Sequence, residues 1–201
     1  MNIATAPQTP RVILGLMTFG PPNSEDKGAR ITSLDTFNQC LDHLTSRGYT
    51  ELDTARVYID GEQEAFTAST KYASKGFSIA TKVFPSPPYS HKPSVLRKAL
   101  ETSLKELDTK CVDIFYLHAA DRGTNFEETL KEVNELHKEG KFVNLGLSNF
   151  TAFEVAEVVM ICRQYGWVRP SIFQAMYNAI SRSRPCRRNP CADPSLNSTI
   201  Y

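Results

Sequence analysis

The chain has 201 residues, 41% of them hydrophobic and 22% charged. That balance fits a globular protein of one large domain or two small ones. A formal net charge of +1 argues against a polyanionic partner such as nucleic acid, and no stretch approaches the roughly 18 apolar residues of a membrane span.

Residues 1–10 form a polar leader with no apolar run and no Lys or Arg, so a secretory signal is not expected. The five cysteines are odd in number and scattered, and none has a zinc-like spacing with a histidine. We therefore expect neither a disulfide framework nor a metal site, and a cytoplasmic location. Cys111 and Cys162 read as small apolar fillers.

Arg11 to Gly20 is a short apolar run ended by Gly and Pro, expected as a first strand. Leu34, Phe37, Leu41 and Leu44 then recur at helical spacing up to Arg47-Gly48. A second strand is expected from Tyr49 to Ala55. A helix should follow from an Asp60 N-cap, with Gln63 at the third position, to Lys75-Gly76. A third strand is expected from Phe77 to Phe84. Pro85-Ser-Pro-Pro-Tyr-Ser90 cannot be regular, because proline removes donors and fixes φ.

Between Ser94 and Leu107, Leu96, Leu100, Leu104 and Leu107 share one helical face, with Glu101 and Lys105 expected to pair outside it. A fourth strand runs from Val112 to His118. A helix from Phe126 to Gly140 turns Leu130, Val133 and Leu136 inward, and a fifth strand runs from Phe142 to Ser148. Thr151-Ala-Phe-Glu154 is a capping box that opens the next helix, with Phe150 and Val155 placed to staple it. A sixth strand is expected from Pro170 to Tyr177.

Five β-α repeats and a sixth strand, apolar on both faces, describe a parallel sheet covered by helices. Asp53, Lys82, His118, Ser148 and Gln174 each fall at the C-terminal end of a different strand. In a (β/α)₈ TIM-type barrel such ends converge on one mouth. A doubly wound open sheet is the alternative, but no G-x-G-x-x-G turn follows the first strand. Tyr58, five positions after Asp53, adds a phenol. A phenol near a cation can exchange a proton with a carbonyl oxygen near neutral pH. His43, His91 and His137 fall on helices or loops and read as structural.

In identity, order and strand position, Asp53, Tyr58, Lys82 and His118 resemble the catalytic tetrad of the aldo-keto reductases. Gly146-Leu-Ser-Asn149 is similar to that family's nicotinamide-binding fifth strand, and Gln174 to its sixth-strand cofactor contact. Tyr116-Leu-His-Ala119, Leu136 to Val143 and Gln174-Ala-Met-Tyr-Asn178 are closer still to the aflatoxin-aldehyde reductase branch. The match covers about residues 11–182, with the partial barrel expected over 11–180, and implies hydride transfer from NADPH to a small aldehyde or ketone. Tyr58 would protonate the new alkoxide. Lys82 would ease ionisation of the phenol, Asp53 would orient Lys82, and His118 would fix the carbonyl. Ser148, Asn149 and Gln174 would grip the nicotinamide carboxamide. The branch implies aldehyde or dialdehyde substrates and a homodimer.

The family pattern stops after Ala179. Residues 181–201 hold Arg182, Arg184, Arg187 and Arg188 among prolines, without helical period. We expect a solvated irregular tail there rather than a nucleic-acid patch. The expected architecture is thus an incomplete barrel of about six strands and five helices, a truncated form of a longer reductase that binds NADPH weakly or not at all. The reading from a different class is a non-catalytic module that pairs its open sheet edge with another chain.

Overall fold

The computed structural model describes residues 11–87, 89–176 and 178–180. The leader at 1–10, Pro88, Tyr177 and the tail at 181–201 lie outside them. Six strands form one sheet: β1 (Leu14–Gly15), β2 (Glu51–Asp53), β3 (Ser78–Val83), β4 (Val112–Leu117), β5 (Phe142–Ser148) and β6 (Pro170–Gln174). All neighbours are parallel and the spatial order is the chain order. Parallel neighbours need a crossover, and helices supply it. These are α1 (Leu34–Ser46), α2 (Gln63–Ala68), α3 (Pro93–Glu106), α4 (Phe126–Lys138) and α5 (Ala152–Tyr165). The expected incomplete barrel of the (β/α) type is therefore what the chain forms.

The sheet curls. Gln174, at the end of β6, places its Nε2 3.2 Å from Oδ2 of Asp53, at the end of β2. Four strand spacings separate these strands, about 19 Å if the sheet were flat. A side-chain hydrogen bond across that span requires the inner face to be strongly concave.

Side chains alternate across this curled sheet with period two. On β3, Ile79 and Val83 face the outer core, while Ala80 faces inward. On β4, Phe115 and Leu117 face outward, and Ile114 and Tyr116 inward. The outer core is the larger one, closed by Phe37 and Leu41 of α1, Leu96, Leu100 and Leu104 of α3, Leu130, Val133 and Leu136 of α4, and Val158 and Cys162 of α5. Full burial of each such leucine contributes roughly 1.5–3 kcal/mol.

Helix ends follow local chemistry. Ser33 accepts from Thr36 N–H at the start of α1, and Asn125 accepts from Glu127 N–H at the start of α4. The capping box of Thr151 and Glu154 is complete, and Phe150 and Val155 join the same apolar cluster.

Several expectations are corrected. The first strand is reduced to Leu14–Gly15, because the chain turns where Phe19 N–H meets the Leu16 carbonyl at 3.0 Å. Asp60 does not cap α2: Ile59 and Asp60 both have positive φ, and the helix begins at Gln63 without a side-chain cap. That helix also ends early, at Ala68. Lys71 turns left-handed and a short 3₁₀ segment, Tyr72–Lys75, follows. Glu101 pairs with Arg97 at 3.7 Å rather than with Lys105, because Arg97 reaches across to Glu132 and Glu139 of α4 and its neighbourhood. Cys111 is exposed rather than a filler, whereas Cys162 is buried. The ladder of β6 stops at Gln174.

No helix among the described residues is long and apolar enough to cross a membrane. The sheet sets one unusually tight packing point. A Cβ added at Gly146 of β5 would overlap the ring of Tyr116 on β4, so the ring lies against bare backbone. Gly146→Ala is expected to lower stability by about 1–3 kcal/mol through overpacking. Urea denaturation would measure this, and an unchanged midpoint would contradict it.

Candidate active site

Period-two alternation places Asp53 of β2 and Lys82 of β3 on the inner face, and His118 one residue beyond β4. The Lys82 side chain is fully buried. An ammonium in such a place must be paired and hydrogen-bonded. Its Nζ donates to Oδ2 of Asp53 at 2.7 Å, to the Thr54 carbonyl at 2.7 Å and to the Tyr58 hydroxyl oxygen at 3.3 Å. The Tyr116 ring lies beneath it, 5.8 Å from Nζ to centroid. The fit of Tyr116 against Gly146 therefore forms the floor under the ammonium.

Tyr58 comes from the loop after β2, and its ring meets the His118 ring edge-on with centroids 6.0 Å apart. His118 is held by its backbone N–H on the Val83 carbonyl at 3.1 Å, and Phe84 packs edge-on against its ring at 5.3 Å. Burial, with the neighbouring Lys82 and His91, pushes the His118 imidazole down to about 4. Its Nδ1 and the Oδ1 of Asp53 are buried and have no hydrogen-bond partner among the described residues. Asp53, Tyr58, Lys82 and His118 are thus brought to one place on the inner face.

The other three expected residues lie around them. Ser148, at the end of β5, is buried and accepts from Asn149 Nδ2 at 3.1 Å. Asn149 has a positive φ and also donates to the His118 carbonyl at 3.0 Å. Gln174 engages Asp53, as above. Ser148 and Asn149 are joined to His118, and Gln174 to the carboxylate that grips Lys82. The ends of β5 and β6 therefore present a hydroxyl and two carboxamides beside the polar cluster. Such groups suit a planar amide ligand, and the two unpartnered buried atoms beside them agree with a polar ligand at this spot. Among the described residues, no group of three or more His, Cys, Asp and Glu is placed to hold a metal ion.

The loop that delivers Tyr58 is unusual. Ile59 and Asp60 are consecutive non-glycine residues in the left-handed region. Such residues cost of order 1–3 kcal/mol each and persist only where surroundings enforce them. Ile59 is buried as an anchor. Gly61, at φ 89, closes the turn and offers its carbonyl to Arg56 Nη2. The outward residues of the same strands hold the loop from behind. Thr54 donates to the Gln63 side chain, which in turn donates to Thr67 Oγ1 at 2.7 Å. Arg56 Nη1 donates to Glu64 Oε2 at 2.5 Å, and Thr81 donates to Glu64 Oε1 at 2.6 Å. Burial raises the Glu64 carboxyl above its ordinary range, with Arg56 opposing.

Sequence reasoning missed Arg56, Glu64 and Thr81, and gave Gln63 the wrong partner. A signal existed: Thr54 and Arg56 alternate with Asp53 and Ala55, so a polar outer face was implied by the same period. A second brace joins the loops after β3 and β4. His91 is buried, with Nε2 3.1 Å from the Val83 carbonyl, and its backbone N–H donates to Asp121 at 2.8 Å.

Comparison with known proteins meets this geometry from the other side. The "Aldo/keto reductase family" profile matches residues 11–190. "Aflatoxin B1 aldehyde reductase member 2" of Mus musculus is 42% identical over 92% of this chain and 49% of its own length. The protein of that name from Homo sapiens is 43% identical over 92% of this chain and 51% of its own. "Aldo-keto reductase family 7 member A3" of Homo sapiens is 41% identical over 90% and 54%. The chain spans about half the length of the curated relatives it matches. A profile that covers most of the chain, on a parallel β/α sheet whose strand ends gather an acid, a phenol, an amine and an imidazole, places this chain in the aldo/keto reductase family.

Proposed function

We propose that this chain carries the proton-transfer side of an NADPH-dependent reduction of small aldehydes or ketones. The observation that supports it most is the Lys82 ammonium, held by Asp53 and Thr54 and donating to the phenol oxygen of Tyr58 beside the His118 ring. When bound, the nicotinamide cofactor would supply the hydride. Tyr58 passes its hydroxyl proton to the carbonyl oxygen as that oxygen becomes an alkoxide. The Lys82 ammonium, 3.3 Å away, stabilises the negative charge left on the phenol oxygen. Asp53 pairs with the ammonium and aims it.

His118 acts without charge. With its imidazole lowered to about 4, the ring is neutral at pH 7 and has one N–H to donate to the substrate oxygen. Tyr58 then remains the proton source. Ser148, Asn149 and Gln174 are the residues that would hold the nicotinamide carboxamide, with Gln174 exchanging its bond to Asp53 for one to the ligand. The relatives' names point to aldehydes as the substrate class.

A second reading, an interaction module, is favoured by a different observation. Among the described residues β1 and β6 are each paired on one side only, and Phe153 and Met160 of α5 are 79% and 62% exposed. Concentration-dependent assembly in sedimentation, with turnover absent, would support that reading over the catalytic one.

Two outcomes are expected. With NADPH and an aromatic aldehyde, Tyr58→Phe should cut turnover by about a hundredfold or more; undiminished turnover in the variant would remove Tyr58 from the reaction. In an NMR titration the His118 ring should show a midpoint near 4. The unfolded ring titrates near the ordinary 6.5, so between these values the unfolded state binds the extra proton. Stability is therefore fully present above 6.5 and is lost as pH falls toward 4. The depressed His91 adds to the loss with the same sign. A midpoint near 6.5 for His118 would contradict the neutral-donor role.

A further inference from the structure

We propose that the buried cluster of Arg56, Glu64 and Thr81, on the outer face of β2 and β3, is the positioning device that sets Tyr58 against Lys82 and His118. The inference deepens the reading of Tyr58 as proton donor and rests on it.

The side chains of Arg56 and Glu64 are 4% and 0% exposed. A buried ion pair is a poor way to gain stability, since apolar residues of similar volume often do as well. What a buried pair does provide is direction. Each oxygen of Glu64 has a separate anchor: Oε2 takes the Arg56 guanidinium from β2's continuation, and Oε1 takes the Thr81 hydroxyl from β3. Arg56 directs its other terminal nitrogen, Nη2, to the Gly61 carbonyl and, at 3.4 Å, to Glu106 of α3. The guanidinium thus clamps both ends of the segment between β2 and α2. Tyr58 lies inside that segment, followed by the two left-handed residues Ile59 and Asp60.

Strand register links the cluster to the inner face. Thr81 and Lys82 are consecutive on β3, so one points out and the other in. Thr81 holds Glu64 on the outside, and Lys82 presents its ammonium on the inside. Asp53 ends β2 on the inner face, and Arg56 sits in the turn just beyond it, where Tyr58 N–H meets the Ala55 carbonyl at 3.1 Å; the run is tied to β3 by Thr54 N–H on the Ala80 carbonyl and Arg56 N–H on the Lys82 carbonyl, each at 2.9 Å. The phenol and the ammonium are therefore referenced to the same two backbone residues. Loss of the outer anchor frees the loop while the inner lysine stays in place. None of the three residues touches the reacting groups, so they are positioning residues.

The test reads ring contacts by NMR in the full chain, without cofactor or substrate. The Tyr58–His118 pair, at 6.0 Å, depends on the clamped loop. The Phe84–His118 pair, at 5.3 Å, does not. In Glu64→Gln and Thr81→Val the nuclear Overhauser contact from Tyr58 to His118 should fall several-fold relative to that from Phe84 to His118. Thr81→Ser, which keeps the hydroxyl, should retain both. A cluster that only glues α2 to the sheet would lower the melting temperature and leave the ratio unchanged. An unchanged ratio in folded Glu64→Gln overturns the proposal. Should that variant not fold, the contrast between Thr81→Val and Thr81→Ser decides in the same way. Where turnover is measured, the same variants should lose about a hundredfold in kcat with KM little altered. Failure of Tyr58→Phe to affect turnover would reject the catalytic reading alone, because the ring-contact ratio does not depend on it.

Discussion

Everything at the strand ends is arranged around one buried cation. Lys82 has no access to solvent, so its charge must be answered from within the protein. Three oxygens answer it: a carboxylate, a backbone carbonyl and a phenol. The carboxylate supplies the opposite charge, the carbonyl is fixed by the β2–β3 ladder, and the phenol arrives from a loop. Two of the three partners are rigid, so the third is drawn to a defined place. An aromatic floor completes the surroundings, because Tyr116 can lie flat only where Gly146 removes a side chain. The requirement to pay for one buried ammonium thus accounts for the positions of residues on β2, β3, β4 and β5.

The same strands do two different jobs on their two faces. Inward, Asp53 and Lys82 build the polar cluster. Outward, Thr54, Arg56 and Thr81 grip Gln63 and Glu64 of α2. Most of the outer core is leucine-rich packing of α3 and α4, and this charged pair is buried beside it. A polar patch inside an apolar layer has cost without gain unless direction matters. Here the direction is that of a strained loop, and the loop bears the phenol. On the far side of the cluster, His91 and Asp121 brace the loops after β3 and β4 in the same manner. Burial keeps both His91 and His118 below the ordinary imidazole range, so neither imidazole adds a positive charge beside the central cation at neutral pH.

The order of the strands was legible because parallel β/α units are written in repeating apolar runs and helical stripes. Among the described residues five α-helices and six strands appear in the expected sequence, and β5 keeps even its expected bounds. The capping box at Thr151 was legible for the same local reason: its bonds join residues three apart. The loop after β2 was not legible. A sequence with Asp60 and Gln63 satisfies the local rule for a capped helix, yet the chain turns left-handed there. The cause is Arg56, whose guanidinium takes the Gly61 carbonyl and the Glu64 carboxylate. That preference comes from tertiary burial and outweighs the local one.

By itself, then, the sequence determined the element order, the parallel sheet and the family, since each depends on periodicity or on residue identities at strand ends. It also placed Asp53, Lys82, His118, Ser148 and Gln174 on one rim, because strand ends of consecutive β/α units share a side. Only the tertiary structure decided the curl that carries Gln174 of β6 to within 3.2 Å of Asp53 on β2, and which polar residues face the helices. Curvature is the sum of contacts between residues far apart in the chain. No window of sequence contains them, and the direction of an outward arginine acquires meaning only once a helix lies against it.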